Sequence, residues 1–218
     1  MPESFVWTIL VVVAILFLGW FALGTQRNVR KGDVVLRWLK GGLPLVGDKS
    51  TMRWLGSSVL ELKIAKAKSP FRTAETLAVF EPRDVVLLWL LERARGRRDT
   101  LIFRAQLQSA PAFELDAFDP RGWMTQHLES GAKKNHWKRL TLDGTSPLMA
   151  YFSGDAAAAA GKPLIELAGR AGGKLVRLSV RKSLPNLEVH WLLPDAEKYP
   201  ARDLFLKLRQ IGEDALKP

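Results

Sequence analysis

The longest apolar segment of the chain lies close to its first residue. Phe5–Gly24 contains no charged residue, and Thr8 is its only hydroxyl-bearing residue. A helix of about 20 apolar residues crosses the hydrocarbon core of a bilayer, because it satisfies its own backbone hydrogen bonds. Trp7 and Trp20 lie near the two ends, where indole rings favour the membrane interfaces. The pattern predicts a single transmembrane anchor over residues 1–25.

The flanking charges predict the orientation of this anchor. Only Glu3 precedes the apolar segment, whereas Arg27, Arg30, Lys31, Arg37 and Lys40 follow it. Positive residues are retained in the cytoplasm, so we expect a cell-membrane protein with its amino terminus outside and residues 25–218 in the cytoplasm. A cleaved signal peptide is the alternative, but the basic start is missing and the apolar run is long. A soluble core helix would seldom be apolar on every face.

Apolar and basic residues mix in the next segment, residues 26–50. This composition predicts a basic amphipathic segment that lies in the membrane interface beside the anchor, or otherwise a plain linker. Gly32 weakens the segment as a helix, and Gly41–Pro44 ends it. The residues predicted to contact anionic lipid are Arg27, Arg30, Lys31, Arg37, Trp38 and Lys40.

Alternation of apolar and polar residues, typical of half-buried strands, begins after residue 51. In the first unit, 51–120, the predicted elements are a strand at 59–66, a strand at 75–80, a helix at 85–95, and strands at 101–107 and 113–118. Proline and acidic residues in 81–84 suit the first turn of that helix. The last two strands are predicted to pair as a hairpin across 108–112.

A similar order returns 74 residues later, so that Pro111 corresponds to Pro185. After a connector at 121–137, the second unit, 138–218, contains a predicted strand at 148–152, a helix at 164–171, strands at 175–180 and 187–193, and a final helix at 201–216. The two strands form a hairpin across 182–186. The sequence therefore predicts an α+β fold: a tandem β-α-β-β repeat of ferredoxin-like type, with an antiparallel sheet and helices on one face.

Composition restricts the possible chemistry. The chain has a formal charge of +11, and Glu3 is the only charge in its first 24 residues, so the rest carries +12. Such a surface attracts anionic lipid, nucleic acid or acidic proteins. The absence of cysteine excludes disulfides, thiolate catalysis, Cys-ligated zinc and iron–sulfur clusters. We expect no cofactor.

Two segments resemble ligand-binding motifs only superficially. A phosphate-binding loop needs four residues between its glycines and a Ser or Thr after the lysine. Six residues separate Gly154 from Gly161, and Pro163 follows Lys162, so an Ala-rich helix start capped by Asp155 is the better interpretation.

Glu188 and His190 share one face of a strand and could chelate a metal. Cross-strand salt bridges such as Arg181–Glu188 explain their charges more simply.

The remaining candidates are basic patches, and we treat them as partner-binding residues. The residues are Arg95, Arg97 and Arg98 after the first helix, and Lys133, Lys134, His136 and Trp137 in the connector. Cations with aromatics can bind phosphates and stack bases, but helix ends and solvated loops are also basic. Contact with lipid headgroups or an acidic protein is the favoured interpretation.

The sequence therefore predicts a non-catalytic, membrane-anchored binding protein, either a scaffold or an accessory subunit of a membrane complex. Two alternatives stay open. One is a membrane-tethered nucleic-acid-binding protein. The other is an enzyme with a small-molecule site between the two repeats.

Overall fold

The first element of the structure is one long helix. The computed structural model describes residues 3–122, 125–142, 147–154 and 157–217. Helix α1 extends over Glu3–Lys40 without a break. Its side chains from Ser4 to Leu23 are exposed, and the helix is long and apolar enough to cross a membrane. At 1.5 Å per residue, about 20 residues span the roughly 30 Å of a hydrocarbon core.

The second half of α1 differs from the separate interfacial segment predicted for it, because it continues the same helix and packs on the domain. Five positions spaced by three or four residues are buried: Gly24, Asn28, Gly32, Val35 and Leu39. This spacing places them on one helix face. A Cβ at position 32 would overlap the indole ring of Trp54, so Gly32 permits close packing there. The helix ends at Lys40, as Gly41–Pro44 predicts.

The rest of the described chain contains nine strands and four helices. The strands are β1 (Ser50–Leu55), β2 (Val59–Ile64), β3 (Phe71–Val79), β4 (Thr100–Leu107), β5 (Glu114–Phe118), β6 (Lys138–Leu140), β7 (Met149–Ser153), β8 (Leu175–Val180) and β9 (Leu187–Leu192). The helices are α2 (Val86–Ala94), α3 (Thr125–Lys134), α4 (Ala157–Ala171) and α5 (Ala201–Ala215). Each predicted strand and helix is present with some shifted bounds, whereas β1, α3 and β6 are additional. Asp155, the predicted cap of α4, lies outside the described residues.

All nine strands form one antiparallel sheet in the order β1-β2-β3-β4-β9-β8-β5-β7-β6. This confirms the α+β class and the β8–β9 hairpin. The predicted β4–β5 hairpin is wrong, because β9 and β8 lie between these strands. The ferredoxin-like repeat is not confirmed: α2 joins adjacent antiparallel strands, and β7 pairs with β5 rather than with β8.

Strand alternation builds the main core on one face of the sheet. In β4, Leu101 and Phe103 are buried while Ile102 and Arg104 are only half-buried. The inward side chains pack with α4, α5 and the second half of α1. Trp191 of β9 is fully buried, and its Nε1 donates to the carbonyl oxygen of Ala168 in α4 at 2.8 Å.

Helix α3 packs on the opposite face, so the prediction of helices on one face is wrong for this element. Phe118 of β5 stacks on Tyr151 of β7 with ring centroids 6.1 Å apart. Both rings form a second apolar cluster with Ala132 of α3. The rest of this face carries mostly polar side chains, with Leu77 and Ile102 among them, and no helix of the described chain adds a buried cluster there.

Candidate functional site

A row of polar residues crosses the sheet on the face opposite α4 and α5. Direct cross-strand neighbours follow one another from β2 to β5 in this row. We call these residues the polar sheet face: Lys63, Glu75, Arg104, Glu188, Ser179 and Asp116. Opposite charges directly across strands stabilise a sheet. The row is exposed at Lys63, half-buried from Glu75 to Glu188, and buried at Ser179 and Asp116.

Glu188 occupies the centre of the polar sheet face. Its carboxylate accepts hydrogen bonds from Arg104 Nε at 2.8 Å and Arg177 Nη1 at 3.3 Å, and His190 Nε2 lies 2.6 Å away. Burial by itself would raise the pKa of Glu188, but the hydrogen bond from His190 and the neighbouring positive charges outweigh it and lower the pKa to about 2. Glu188 is therefore held as an anion.

Asp116 organises the second ion cluster of this face. Its carboxylate is almost fully buried and accepts hydrogen bonds from Arg177 at 2.9 Å and from Arg181 at 2.5 Å. The predicted Arg181–Glu188 pair is therefore corrected: Arg181 pairs with Asp116, while Glu188 pairs with Arg104 and Arg177. Arg181 is drawn away because Asp116 lies on the adjacent β5, which the sequence did not place beside β8.

The described residues contain no cluster of three or more His, Asp or Glu side chains suited to a metal. His190 Nε2 lies 2.6 Å from the Glu188 carboxylate, which also pairs with Arg104 and Arg177. The polar sheet face holds charged side chains at fixed positions, and it can present them to a charged or polar surface of a partner.

The junction between α1 and the domain is a second polar site. It is more deeply buried than the polar sheet face. We call Asn28, Lys31, Glu81, Arg83 and Asp99 the junction network. Asn28 Nδ2 donates to the carbonyl oxygens of Ser57 at 3.2 Å and Glu81 at 3.1 Å, and its Oδ1 accepts from Arg83 at 3.0 Å. Buried polar groups with complete hydrogen bonding fix one packing geometry.

Asp99 connects this network to α1. Arg83 donates to both of its carboxylate oxygens at 3.0 Å, the backbone N–H of Glu81 donates at 2.8 Å, and Lys31 of α1 forms an ion pair with it. Burial would raise the pKa of Asp99, but the hydrogen bonds from Arg83 and Lys31 outweigh it and lower the pKa. Asp99 therefore remains charged, and Lys31 lies opposite a fixed anion.

Tryptophan side chains extend the junction toward the apolar end of α1. Trp20 Nε1 donates to the carbonyl oxygen of Arg83 at 2.8 Å, and its ring centroid lies 6.0 Å from that of Trp89 in α2. Trp89 Nε1 donates to Glu81 at 2.6 Å, and Arg93 donates to the same carboxylate. The loop before α2 thus contacts α1 over several turns.

The residues of α1 that were predicted to contact lipid differ in their exposure and in their contacts. Arg27, Arg30, Arg37 and Lys40 are exposed. Lys31 is partly exposed but bound to Asp99, and Trp38 packs against the core and donates to the carbonyl oxygen of Tyr199 at 2.8 Å. Trp38 therefore packs within the domain.

The two predicted partner-binding patches lie at opposite ends of the strands. Arg95 and Arg97 pair with Glu92, and Arg98 donates to the carbonyl oxygens of Arg93 and Arg97, next to the start of β4.

The second patch, from the connector, lies beside the end of β8. Lys133 pairs with Glu129, while Lys134 and His136 are exposed. The guanidinium of Arg181 lies 4.3 Å from the centre of the Trp137 ring, which is half-buried. This patch therefore adjoins the polar sheet face.

Sequence reasoning missed the junction network and Asp116. The spacing of Gly24, Asn28 and Gly32 at four-residue intervals was the available signal, since small and polar residues on one helix face favour close packing.

A cleft of about 480 Å³ lies beside α4, lined among others by Ile165, Arg170 and Leu175. All its lining residues belong to the second predicted unit. Neither the models of known protein families nor the curated proteins give a match to this chain. Its function is therefore argued from the geometry alone.

Proposed function

We propose that this protein is a single-pass membrane protein whose cytoplasmic domain acts as a non-catalytic scaffold or accessory subunit. The apolar half of α1 is its anchor, and the polar sheet face is its binding surface. The continuity of α1 carries this proposal. A helix that leaves the membrane and becomes part of the domain's core holds the domain at one orientation. A subunit that presents a surface to a membrane partner requires such a fixed orientation.

The contacts of Trp20 and Gly24 support an anchor that is retained. Cleavage near Ala22–Gly24 would remove Trp20, which hydrogen-bonds Arg83 and contacts Trp89. It would also cut α1 inside the stripe that packs on the domain. A cleaved signal peptide has no such role in the fold of the mature protein.

The exposed cations after Gly24 support the cytoplasmic orientation. Arg27 and Arg30 lie about 5 Å and 9 Å beyond Gly24 along the helix axis, the depth of lipid headgroups. A Lys or Arg near an anionic leaflet is worth about 1 kcal/mol. The amino terminus then faces outward, and the domain faces the cytoplasm.

Site-specific photo-crosslinking in native membranes tests the binding surface. The full-length protein carries a benzophenone amino acid at Ile102, which is half-buried on the face of the polar row. A matched control carries it at Leu206, exposed on α5 of the other face. We expect one discrete adduct from position 102, with a protein that also copurifies at a fixed ratio. Identical adducts from both positions, or none from position 102, would contradict the proposal.

Tethered nucleic-acid binding is the second candidate, favoured by the exposed Lys134 and His136 beside Trp137. Its affinity would fall steeply with salt, because phosphate contacts release counterions. A nuclease-sensitive adduct in the same experiment would favour this function over a protein partner.

A further inference from the structure

Helix α2 directs its apolar side chains away from the protein. Leu87, Leu90 and Leu91 are 70%, 51% and 48% exposed, and the described helix has no buried residue. These positions share one helix face, since they are spaced by three and four residues. A surface helix of a soluble domain has the reverse arrangement, with its apolar stripe toward the core.

The polar residues of α2 lie on the side of the helix away from these leucines, and Arg93 remains 48% exposed. Arg93 donates to Glu81, and Glu92 pairs with Arg95 and Arg97. Trp89 also points inward and hydrogen-bonds Glu81. The helix is thus amphipathic with its apolar face outward, which favours an apolar environment for that face.

The contacts between α2 and α1 show where α2 lies along the axis of α1. Arg83, just before α2, touches Trp20 and lies against Gly24, and Trp89 of α2 itself touches Trp20. Trp20 and Gly24 are the last turn of the apolar segment. The outward face of α2 therefore lies where the hydrocarbon core ends, near the level of Trp20 and Gly24 along α1.

Charged residues lie beyond Gly24, toward the carboxyl end of α1. Asp99 pairs with Lys31, which lies about 10 Å beyond Gly24 along the axis. The exposed Arg95 and Arg98 lie between α2 and Asp99 in the chain. From α2 to Asp99, the exposed leucines come first in the chain and the exposed Arg95 and Arg98 come after them, so the chain leads from the hydrocarbon boundary to headgroup depth.

We propose that α2 is a second membrane-embedded element, whose leucines enter the lipid interface beside the anchor while Arg95 and Arg98, which follow the helix, bind anionic headgroups. Interfacial helices bury their apolar face about 5–10 Å into the headgroup and acyl boundary. The inference rests on the proposed anchoring by α1 and deepens it: two contacts with the bilayer also fix the rotation of the domain about the α1 axis.

The absence of cysteine makes the test direct. Single variants Leu87→Cys and Leu91→Cys are labelled with an environment-sensitive fluorophore in the full-length protein, reconstituted alone in anionic vesicles that contain nitroxide lipids. Leu18→Cys, in the apolar part of α1, is the lipid control. Leu184→Cys, exposed in the β8–β9 loop, is the aqueous control.

We expect the labels at positions 87 and 91 to resemble position 18, with blue-shifted emission and strong quenching by nitroxide lipid. A label at 87 that resembles position 184, while position 18 remains in lipid, would overturn the role of α2 and leave the anchor intact. Aqueous behaviour at position 18 would overturn both. Labels at 87 and 91 that are shielded only in native membranes would show that a protein covers α2, which also overturns the proposal.

Discussion

Asn28 of α1 is fully buried and donates from Nδ2 to the carbonyl oxygen of Glu81 at 3.1 Å. This bond joins the helix that carries the apolar anchor to the loop between β3 and α2. An asparagine in this position accepts as well as donates, because Arg83 donates to its Oδ1. The helix and this loop therefore share one hydrogen-bond network.

The first prediction concerns that asparagine. Asn28→Ala removes the side-chain donor to the carbonyl oxygens of Ser57 and Glu81 and one acceptor of the buried Arg83 guanidinium, so it should lower the free energy of unfolding by about 2–3 kcal/mol. Denaturation of the full-length protein in mild detergent measures this change. Gln26→Ala, at an exposed position of the same helix, should stay within about 0.5 kcal/mol of the parent. Equal effects of the two variants would exclude a structural role for the network.

The second prediction uses two glycines of α1. A Cβ at Gly24 would overlap the carbonyl oxygen of Arg83, whereas a Cβ at Gly19 meets no atom within 4 Å. Gly24→Ala should therefore destabilise the protein by about 1–3 kcal/mol, as overpacking does. Gly19→Ala should be neutral or slightly stabilising, because alanine favours a helix. A harmless Gly24→Ala would mean that α1 does not pack on the loop at this point.

The third prediction is a dependence of stability on pH. The folded state lowers the pKa of Glu188 from 4.5 to about 2, so it binds fewer protons than the unfolded state between these values. The stabilisation is fully present above pH 4.5, amounts to on the order of 3 kcal/mol, and is lost as the pH falls toward 2. Unfolding of the parent and of Glu188→Gln is compared across this range. Their difference in stability should shrink as the pH falls, and a constant difference would refute this origin.

The fourth prediction tests how β8–β9 is joined to β4. Asn186 is buried; its Nδ2 donates to the carbonyl oxygens of Arg181 and Lys182 at 3.1 Å, and its Oδ1 accepts from the N–H of Leu107 at 3.1 Å. Asn186→Ala should cost about 2–3 kcal/mol of unfolding free energy, since these backbone groups lose their partner. The exposed Asn135→Ala serves as the matched control. Similar melting temperatures for both variants would argue against the connection.

The sequence predicts element types well where alternation or length is strong. The strand at Leu175–Val180 has the predicted bounds, and the final helix begins at Ala201 as expected. Alternation indicates which face of a strand is buried, but it carries no information on which strand lies beside it. For that reason the sheet order, and with it the pairing of Asp116 with Arg181, could not be predicted.

Other elements were missed because their residues lack the usual hydrophobic signal. The buried stripe of α1 is formed in part by Gly24, Asn28 and Gly32, which a hydropathy pattern treats as breaks or surface. Strand β1 is mostly exposed at the sheet edge, so it shows no buried alternation. In α2, apolar side chains predict burial in a core, whereas the structure exposes them beside the end of the anchor.

We propose that α1 fixes the domain rigidly to the membrane anchor. The most direct measurement is the distance distribution between spin labels in Leu16→Cys/Leu206→Cys, placed on exposed sites of α1 and α5 in lipid nanodiscs. Phe205, next to the second label, lies against Gly42 just after the end of α1, so the two levels differ by about 36 Å along the helix axis. We expect one narrow distribution in that range. A broad distribution, as a flexible joint after Gly24 would produce, would contradict it.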